Sequence, residues 1–243
     1  MIRRIALVFL LFAASIGSSS AAERPLVDRL LQLAKSQPGS DAFRTELVAA
    51  LGGERIEKGN AIIGHGPDFI WAVESEKRPV LYVDDEKYAE MKKASGNLWF
   101  YAGKLATGEV HKFHYMVADE VMGGSLNIAA YTPDSYAQPG VPQGELSEKM
   151  VYVSKKIYPG METSYWVYAP AQYDPSKPAA LMIWQDGNRL IGRPGEELWD
   201  GGDNEDSCIL CPSLVRIFEV TDNLTHRKEI PVMIHLFVQP GTL

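Results

Sequence analysis

The stretch Tyr165 to Gly187, YWVYAPAQYDPSKPAALMIWQDG, constrains the chain more than any other. Two apolar runs, Tyr165 to Ala169 and Ala179 to Trp184, flank a loop that carries Pro170, Asp174, Pro175 and Pro178. The second run stops abruptly at Gln185, Asp186, Gly187 and Asn188. A short apolar run bounded by turn residues predicts a buried strand. A buried strand ending in Asp-Gly predicts the edge of a site, because ligands of open α/β sheets gather at the carboxyl ends of strands. Around this stretch, Val151 to Ser154 and Tyr165 to Tyr168 read as strands, and Ala180 to Trp184 as a central one. Leu214 to Leu224 reads as a helix, and Val232 to Val238 as the next strand. A strand-helix-strand unit of this kind predicts a parallel crossover.

The pattern upstream is different. Leu26 to Ala34 carries Leu26, Leu30, Leu31 and Leu33 after Pro25, a favourable first helical residue. Phe43, Leu47 and Leu51 recur every four residues behind Ser40 or Asp41, and Gly52-Gly53 ends the run. From about Asn60 the runs shorten to Ala61–Ile63, Phe69–Val73, Pro79–Val83, Leu98–Tyr101, Val110–Val117 and Leu126–Tyr131, each bounded by turn residues. In the fifth run Phe113, Tyr115 and Val117 alternate with Lys112, His114 and Met116, as in a half-buried strand. Several short strands at this spacing predict a β-sandwich. Gln138 to Gly144, QPGVPQG, has linker composition.

The first residues are not fold sequence by this reading. Arg3 and Arg4 precede an apolar run, Ile5 to Ile16, and Ser18 to Ala22 offer a small-residue cleavage site. That combination predicts a signal peptide and a mature protein that is periplasmic or secreted, with no stable membrane insertion after cleavage. The apolar run is shorter than the roughly 20 residues that span a bilayer. The net charge of −7 argues against a nucleic-acid partner, which needs a basic face.

Residues able to carry chemistry are few. His111 and His114 lie three apart on a predicted strand and point to opposite faces, so they cannot clamp one metal. His235 falls in the last strand as a core residue, and His65 and His226 sit near turns. Gly123-Gly124-Ser125 has Asn127 where a G-x-S-x-G motif needs its last glycine, and it precedes a strand, whereas a nucleophile elbow precedes a helix. Ser125 therefore reads as turn chemistry. Trp199 and Asp200 begin an acidic, glycine-rich loop that either lines a pocket mouth or is a solvated surface loop. Cys208 and Cys211 form C-I-L-C, which fits a disulfide in an exported chain, a redox pair or incidental thiols, and is too few ligands for zinc. No cofactor and no metal site is expected.

One resemblance adds to this. Tyr165, Trp166, Val167, Tyr168, Pro170, Tyr173, Asp174, Pro178, Gln185, Asp186 and Gly187 resemble the start of the hydrolase domain in the enterochelin-esterase-like branch of the esterase D superfamily. Val215, Phe218, Asp222, Asn223, Leu224, Pro231, Val232, Phe237, Pro240 and Gly241 continue the match. The string GEVHKFHYMVADEV resembles the immunoglobulin-like modules that precede such domains. The resemblance implies an immunoglobulin-like β-sandwich followed by the N-terminal part of an α/β-hydrolase with a mostly parallel sheet. Its layout is a signal peptide at 1–22, a helical segment at 23–58, the sandwich at 59–137, a linker at 138–149 and an incomplete hydrolase domain at 150–243.

It also implies that Asp186, Gly187 and Asn188 form an oxyanion-hole loop; the residues alone leave open an ordinary turn closing a strand. The family's nucleophile elbow would follow the strand ending near Pro240, and the sequence ends at Leu243. No catalytic residue is thus expected in this chain. The implied substrate is a small-molecule carboxylic ester: a siderophore, an acylated carbohydrate or a lactone. The alternative is a non-catalytic exported module that binds glycan or another ligand through sandwich aromatics such as Trp71, Trp99, Tyr101 and Tyr115.

Overall fold

The computed structural model of the protein describes residues 20–191 and 216–241. Trp199, Asp200, Cys208 and Cys211 lie outside the described residues, as does most of the expected signal peptide.

Three helices come first: α1 (Ser20–Ser36), α2 (Asp41–Leu51) and α3 (Gly53–Glu57). The Ser40 hydroxyl accepts the Phe43 N–H at 3.1 Å and so caps α2. Gly52, at φ 80°, closes the helix in a conformation that costs a side-chain-bearing residue more. Eight strands follow: β1 (Ala61–His65), β2 (Asp68–Glu74), β3 (Val80–Val83), β4 (Glu86–Glu90), β5 (Lys92–Ser95), β6 (Leu98–Lys104), β7 (Glu109–Val117) and β8 (Glu120–Ala130). They form two antiparallel sheets, ordered β1-β2-β6-β5 and β4-β3-β7-β8.

The layers are set by the two faces of β2. Ile70 and Ala72 turn toward the helices and share a core with Leu30, Phe43, Leu47 and Phe100. Phe69, Trp71 and Val73 turn the other way and share a second core with Leu81, Phe113 and Tyr115 of the facing sheet. A strand buried on both faces cannot alternate apolar with polar residues, which is why β2 reads as one continuous run. The two-residue turns Asp84-Asp85 and Ala118-Asp119 both have positive φ, which suits the right-handed twist of the hairpins they close.

His111 on β7 is buried, with Nδ1 2.7 Å from Asp84 Oδ2 and Nε2 2.9 Å from the Ala106 carbonyl. Burial alone would depress its pKa. The Ala106 carbonyl and the Asp84 carboxylate outweigh that and hold it above the ordinary value. The imidazolium therefore donates from both ring nitrogens. Its stabilisation is present below the unfolded pKa of about 6.5 and is lost as pH rises through the higher folded value. Replacing His111 with Gln should cost about 1–3 kcal/mol at pH 5.5 and less at pH 8.5. Paired urea melts at the two pH values check this, and a cost that grows with pH would contradict it.

A third sheet follows, built from β9 (Glu145–Leu146), β10 (Met150–Val153), β11 (Glu162–Ala169), β12 (Ala180–Gln185) and β13 (Met233–Val238). Helix α4 (Ile217–His226) precedes β13. The strand order is β10-β11-β13-β12, with β9 against the end of β11. Only β12 and β13 are parallel; β10, β11, β13 and β9 pair antiparallel.

This overturns the expected fold class, a β-sandwich followed by the first part of a mostly parallel α/β-hydrolase sheet. The protein is mostly antiparallel β-structure. The reason is connectivity: β10 and β11 are a hairpin, and β13 enters between β11 and β12 rather than extending a parallel row. The expected central strand is also an edge. Among the described residues β12 has one strand neighbour, and Leu181 and Ile183 are 60% and 50% exposed.

Candidate functional site

The loop after β12 sits where the sequence placed a site edge, at the carboxyl end of the parallel pair. Asp186 adopts the left-handed conformation (φ 53°, ψ 32°), and a single 3-10 turn covers Gly187–Arg189. The turn is closed by Arg189 N–H to the Asp186 carbonyl and Leu190 N–H to the Gly187 carbonyl, both at 3.0 Å. Those bonds use the amides of the fourth and fifth residues of the loop. Among the described residues the peptide N–H groups of Gly187 and Asn188 take no hydrogen-bond partner. Gly187 is buried because its backbone lies directly on β13. A Cβ there would stand 2.6 Å from Phe237 Cα, Phe237 Cβ and Val238 N. Asn188 Oδ1 is buried and has no partner among the described residues.

Helix α4 runs back over the parallel pair, as a crossover must, so its first turn lies at the same end of the sheet as this loop. Ile217 and Phe218 accordingly share a core with Leu190, Ile191, Trp184 and Phe237. The next turn of α4 fastens the third sheet to the segment that leads into it. Asp222, 4% exposed, accepts the Tyr168 hydroxyl at 2.6 Å and the Gly144 N–H at 3.2 Å. Asn223 donates from Nδ2 to the carbonyls of Asp134 and Tyr136, both at 2.8 Å. Arg227 forms a two-point ion pair with Asp134.

Tyr136 and Tyr131 mark the seam between the first two sheets and α4. The Tyr136 ring lies tilted by 35° against His65, with centroids 3.8 Å apart, and its hydroxyl accepts the Gly66 N–H at 2.7 Å. One cavity, of about 930 Å³, lies on the side of His65, Gln138 and Gln143. A second, of about 750 Å³, lies on the side of Asn60, Asn127 and Arg216. The Arg216 guanidinium stands 4.5 Å from the ring centroids of both Tyr131 and Tyr136. Neither cavity was foreseen from the sequence. The one available signal was Asp222-Asn223, a polar pair inside an apolar helical pattern, which needs partners when the helix docks.

The remaining candidates resolve as structural groups. Ser125 lies in β8 beside Gly123 and Gly124, where the β7–β8 register shifts, and its hydroxyl accepts the Asn127 N–H at 3.4 Å. His114 stacks on Tyr82. His235 is buried, and burial lowers its pKa; the neutral ring accepts the Trp184 indole N–H at Nδ1, 3.1 Å away. Trp71 and Tyr115 are fully buried in the core between the first two sheets, so they present no surface to a glycan. Among the described residues no group of three or more His, Cys, Asp or Glu is placed to hold a metal ion, and no helix is long and apolar enough to cross a membrane.

No known family profile matches the chain, and no curated protein matches it. Among solved structures it is similar to the enterobactin esterase of Shigella flexneri in the presence of enterobactin, at 11% identity and a TM-score of 0.38, over 84% of this chain and 58% of that one. It is also similar to the ferric enterobactin esterase of Salmonella typhimurium, at 9% identity and a TM-score of 0.36, over 71% and 53%. The feruloyl esterase module of Clostridium thermocellum matches at 25% identity and a TM-score of 0.29, over 45% and 31%. The chain spans about half the length of the enterobactin esterases it matches.

Proposed function

We propose that this chain is the ligand-binding part of an exported carboxylic-ester hydrolase, acting toward a siderophore, acyl-sugar or lactone ester. The observation that carries the reading is the loop after β12. Gly187 is pressed against β13, and two adjacent amides, Gly187 N–H and Asn188 N–H, have no hydrogen-bond partner among the described residues. A pair of fixed N–H donors stabilises the negative oxygen that develops when an ester carbonyl is attacked, at about 3 kcal/mol per donor. Export is inferred from Arg3, Arg4, the apolar run Ile5 to Ile16 and the small residues that follow.

The polypeptide holds no G-x-S-x-G. It binds and polarises an ester in this reading, and does not form an acyl-enzyme. Two measurements test it. In ¹⁵N–¹H spectra, the Gly187 and Asn188 amides should shift saturably with a methyl phosphonate monoester, an anionic mimic of the tetrahedral intermediate. Unmoved Gly187 and Asn188 signals would overturn the oxyanion assignment. A fluorophosphonate probe should leave the chain unlabelled; one label per chain on a serine would show that a nucleophile had been missed.

A further inference from the structure

The hairpin that opens the third sheet carries a surface that the ester reading does not use. The last pair of β10 and β11 is Val153 with Glu162, and Ser154 to Met161 form the loop between them. Residues 149–161 read KMVYVSKKIYPGM: three lysines and no Asp or Glu, in a chain whose net charge is −7. The apolar residues of this segment face outward. Ile157 is 81% exposed, and Val151, Tyr152, Val153 and Tyr158 are exposed with it. Single exposed apolar residues are ordinary on a protein surface, whereas a cluster of bulky ones marks an interaction site.

The loop is held in shape by its own backbone. Ser154 N–H donates to the Met161 carbonyl at 2.8 Å, Gly160 N–H to the Ser154 carbonyl and Met161 N–H to the Tyr158 carbonyl, both at 3.0 Å. Gly160 turns the chain at φ 90°, and a Cβ there would meet nothing within 4 Å, so the loop stands clear at that point. A tip already fixed presents Ile157 and Tyr158 with little ordering left to lose on docking.

Shape and charge select the occupant. Val151 and Val153 lie on one face of β10 and Tyr152 on the other, with Ile157 and Tyr158 beyond the end of the strand. Apolar groups on both faces of an edge strand make a projection, not a flat patch, and a lipid headgroup layer closes around a projection from every side. Lys155 and Lys156 are exposed and have no ion-pair partner among the described residues. Lysines beside an apolar tip attract anionic headgroups, and tyrosine is favoured at the boundary between lipid and water. A second copy docked tip to tip would bring these lysines together, and like charges oppose that contact.

We propose that the β10–β11 hairpin docks on an anionic lipid bilayer. Ile157 and Tyr158 enter the headgroup boundary, and Lys155 and Lys156 lie on lipid phosphates. The contact is peripheral and reversible, since one short loop buries far less apolar surface than a spanning helix.

The test is sedimentation of the full chain with vesicles of about 30% phosphatidylglycerol in phosphatidylcholine; pure phosphatidylcholine should bind it about tenfold less tightly or weaker. Ile157→Ser should weaken binding about tenfold, because an apolar side chain is no longer buried in lipid. Lys155→Gln combined with Lys156→Gln should weaken it about 25-fold, or about fivefold for each charge at the surface. Raising salt from about 0.05 to 0.5 M should weaken the parent more than this double variant. All three positions are exposed, so the melting temperatures should match the parent's and lost binding does not come from unfolding.

Failure of the chain to pellet with the anionic vesicles would overturn the proposal, as would unchanged binding by Ile157→Ser. Equal binding to neutral vesicles would overturn the role of the lysines. A dimer in solution that Ile157→Ser returns to monomer would put a second copy where the bilayer is proposed. The Gly187 response to the phosphonate is read without lipid and should be the same in Ile157→Ser as in the parent, so this surface and the ester loop stand or fall separately.

Discussion

Asp222→Ala is expected to destabilise the protein by about 3 kcal/mol, because it takes the carboxylate from the buried Tyr168 hydroxyl and one of two acceptors from the Gly144 N–H. The Tyr168 hydroxyl, on a residue with no exposed surface, loses its 2.6 Å acceptor, and the Gly144 N–H, which donates to both the carboxylate at 3.2 Å and the Tyr168 hydroxyl oxygen at 3.0 Å, keeps only the latter. The bond from the hydroxyl is charge-assisted and falls in the short range such bonds adopt, about 2.5–2.7 Å. No water can replace the carboxylate without a path to a residue that is 4% exposed. At about 2–4 °C per kcal/mol for a chain of this size, the melting temperature should fall by roughly 10 °C.

Tyr168→Phe keeps the ring packed 4.5 Å from Phe218 and removes only the hydroxyl, so it should cost about 1–2 kcal/mol. The double variant removes the stranded hydroxyl but leaves the Gly144 N–H without either of its acceptors, so the two costs should not simply add. Urea unfolding of the three variants checks this. A loss below about 1 kcal/mol for Asp222→Ala would mean that the carboxylate is not what holds α4 to the Gly144 segment.

The same contact shows what a sequence can and cannot disclose. The start of α2 is legible, because Ser40 caps through atoms three residues away and Phe43, Leu47 and Leu51 repeat with the helix period. Caps and periods are local. The partners of Asp222 lie 54 and 78 residues away, and no local pattern names them. The apolar run of β12 is equally ambiguous. ALMIW fits a central strand buried on both faces, yet β12 lies at an edge, with Leu181 and Ile183 exposed. Composition records that a residue can be buried; which neighbours arrive is settled by how β13 enters the sheet.

The direction of pairing is hidden for the same reason, since parallel and antiparallel strands share a period of two. That is why a mostly parallel sheet could be expected where four of the five pairing strands run antiparallel to a neighbour. The site shows the same divide. Asp186-Gly187-Asn188 is visible as a turn after an apolar run. Arg216 meets the rings of Tyr131 and Tyr136 across 80 or more residues, and nothing near Arg216 in the chain announces that contact.

Gly187→Ala is expected to have the second large effect, and it separates folding from function in one loop. The added Cβ would meet backbone atoms of Phe237 and Val238 at 2.6 Å, closer than side-chain carbons approach any neighbour. Flexible side-chain ends can yield to such a contact, but here the obstacle is the main chain of β13. Phe237 is fully buried and packs on Trp184 and Phe218, at ring-centroid distances of 6.1 and 5.7 Å. The loop must therefore lift off the strand. Overpacking of this kind costs about 1–3 kcal/mol.

The lift also moves the Gly187 and Asn188 amides away from the carboxyl edge of the sheet, so the phosphonate response should be lost. Asp186→Gly is the matched control. At φ 53° glycine relieves a conformation that aspartate tolerates less well, without adding an atom against β13. It should leave stability within about 1 kcal/mol and keep the Gly187 response. If Gly187→Ala folded as stably as the parent and kept its phosphonate shifts, the close seating on β13 would have no role in presenting the two amides. The oxyanion reading would then lose the geometry that supports it.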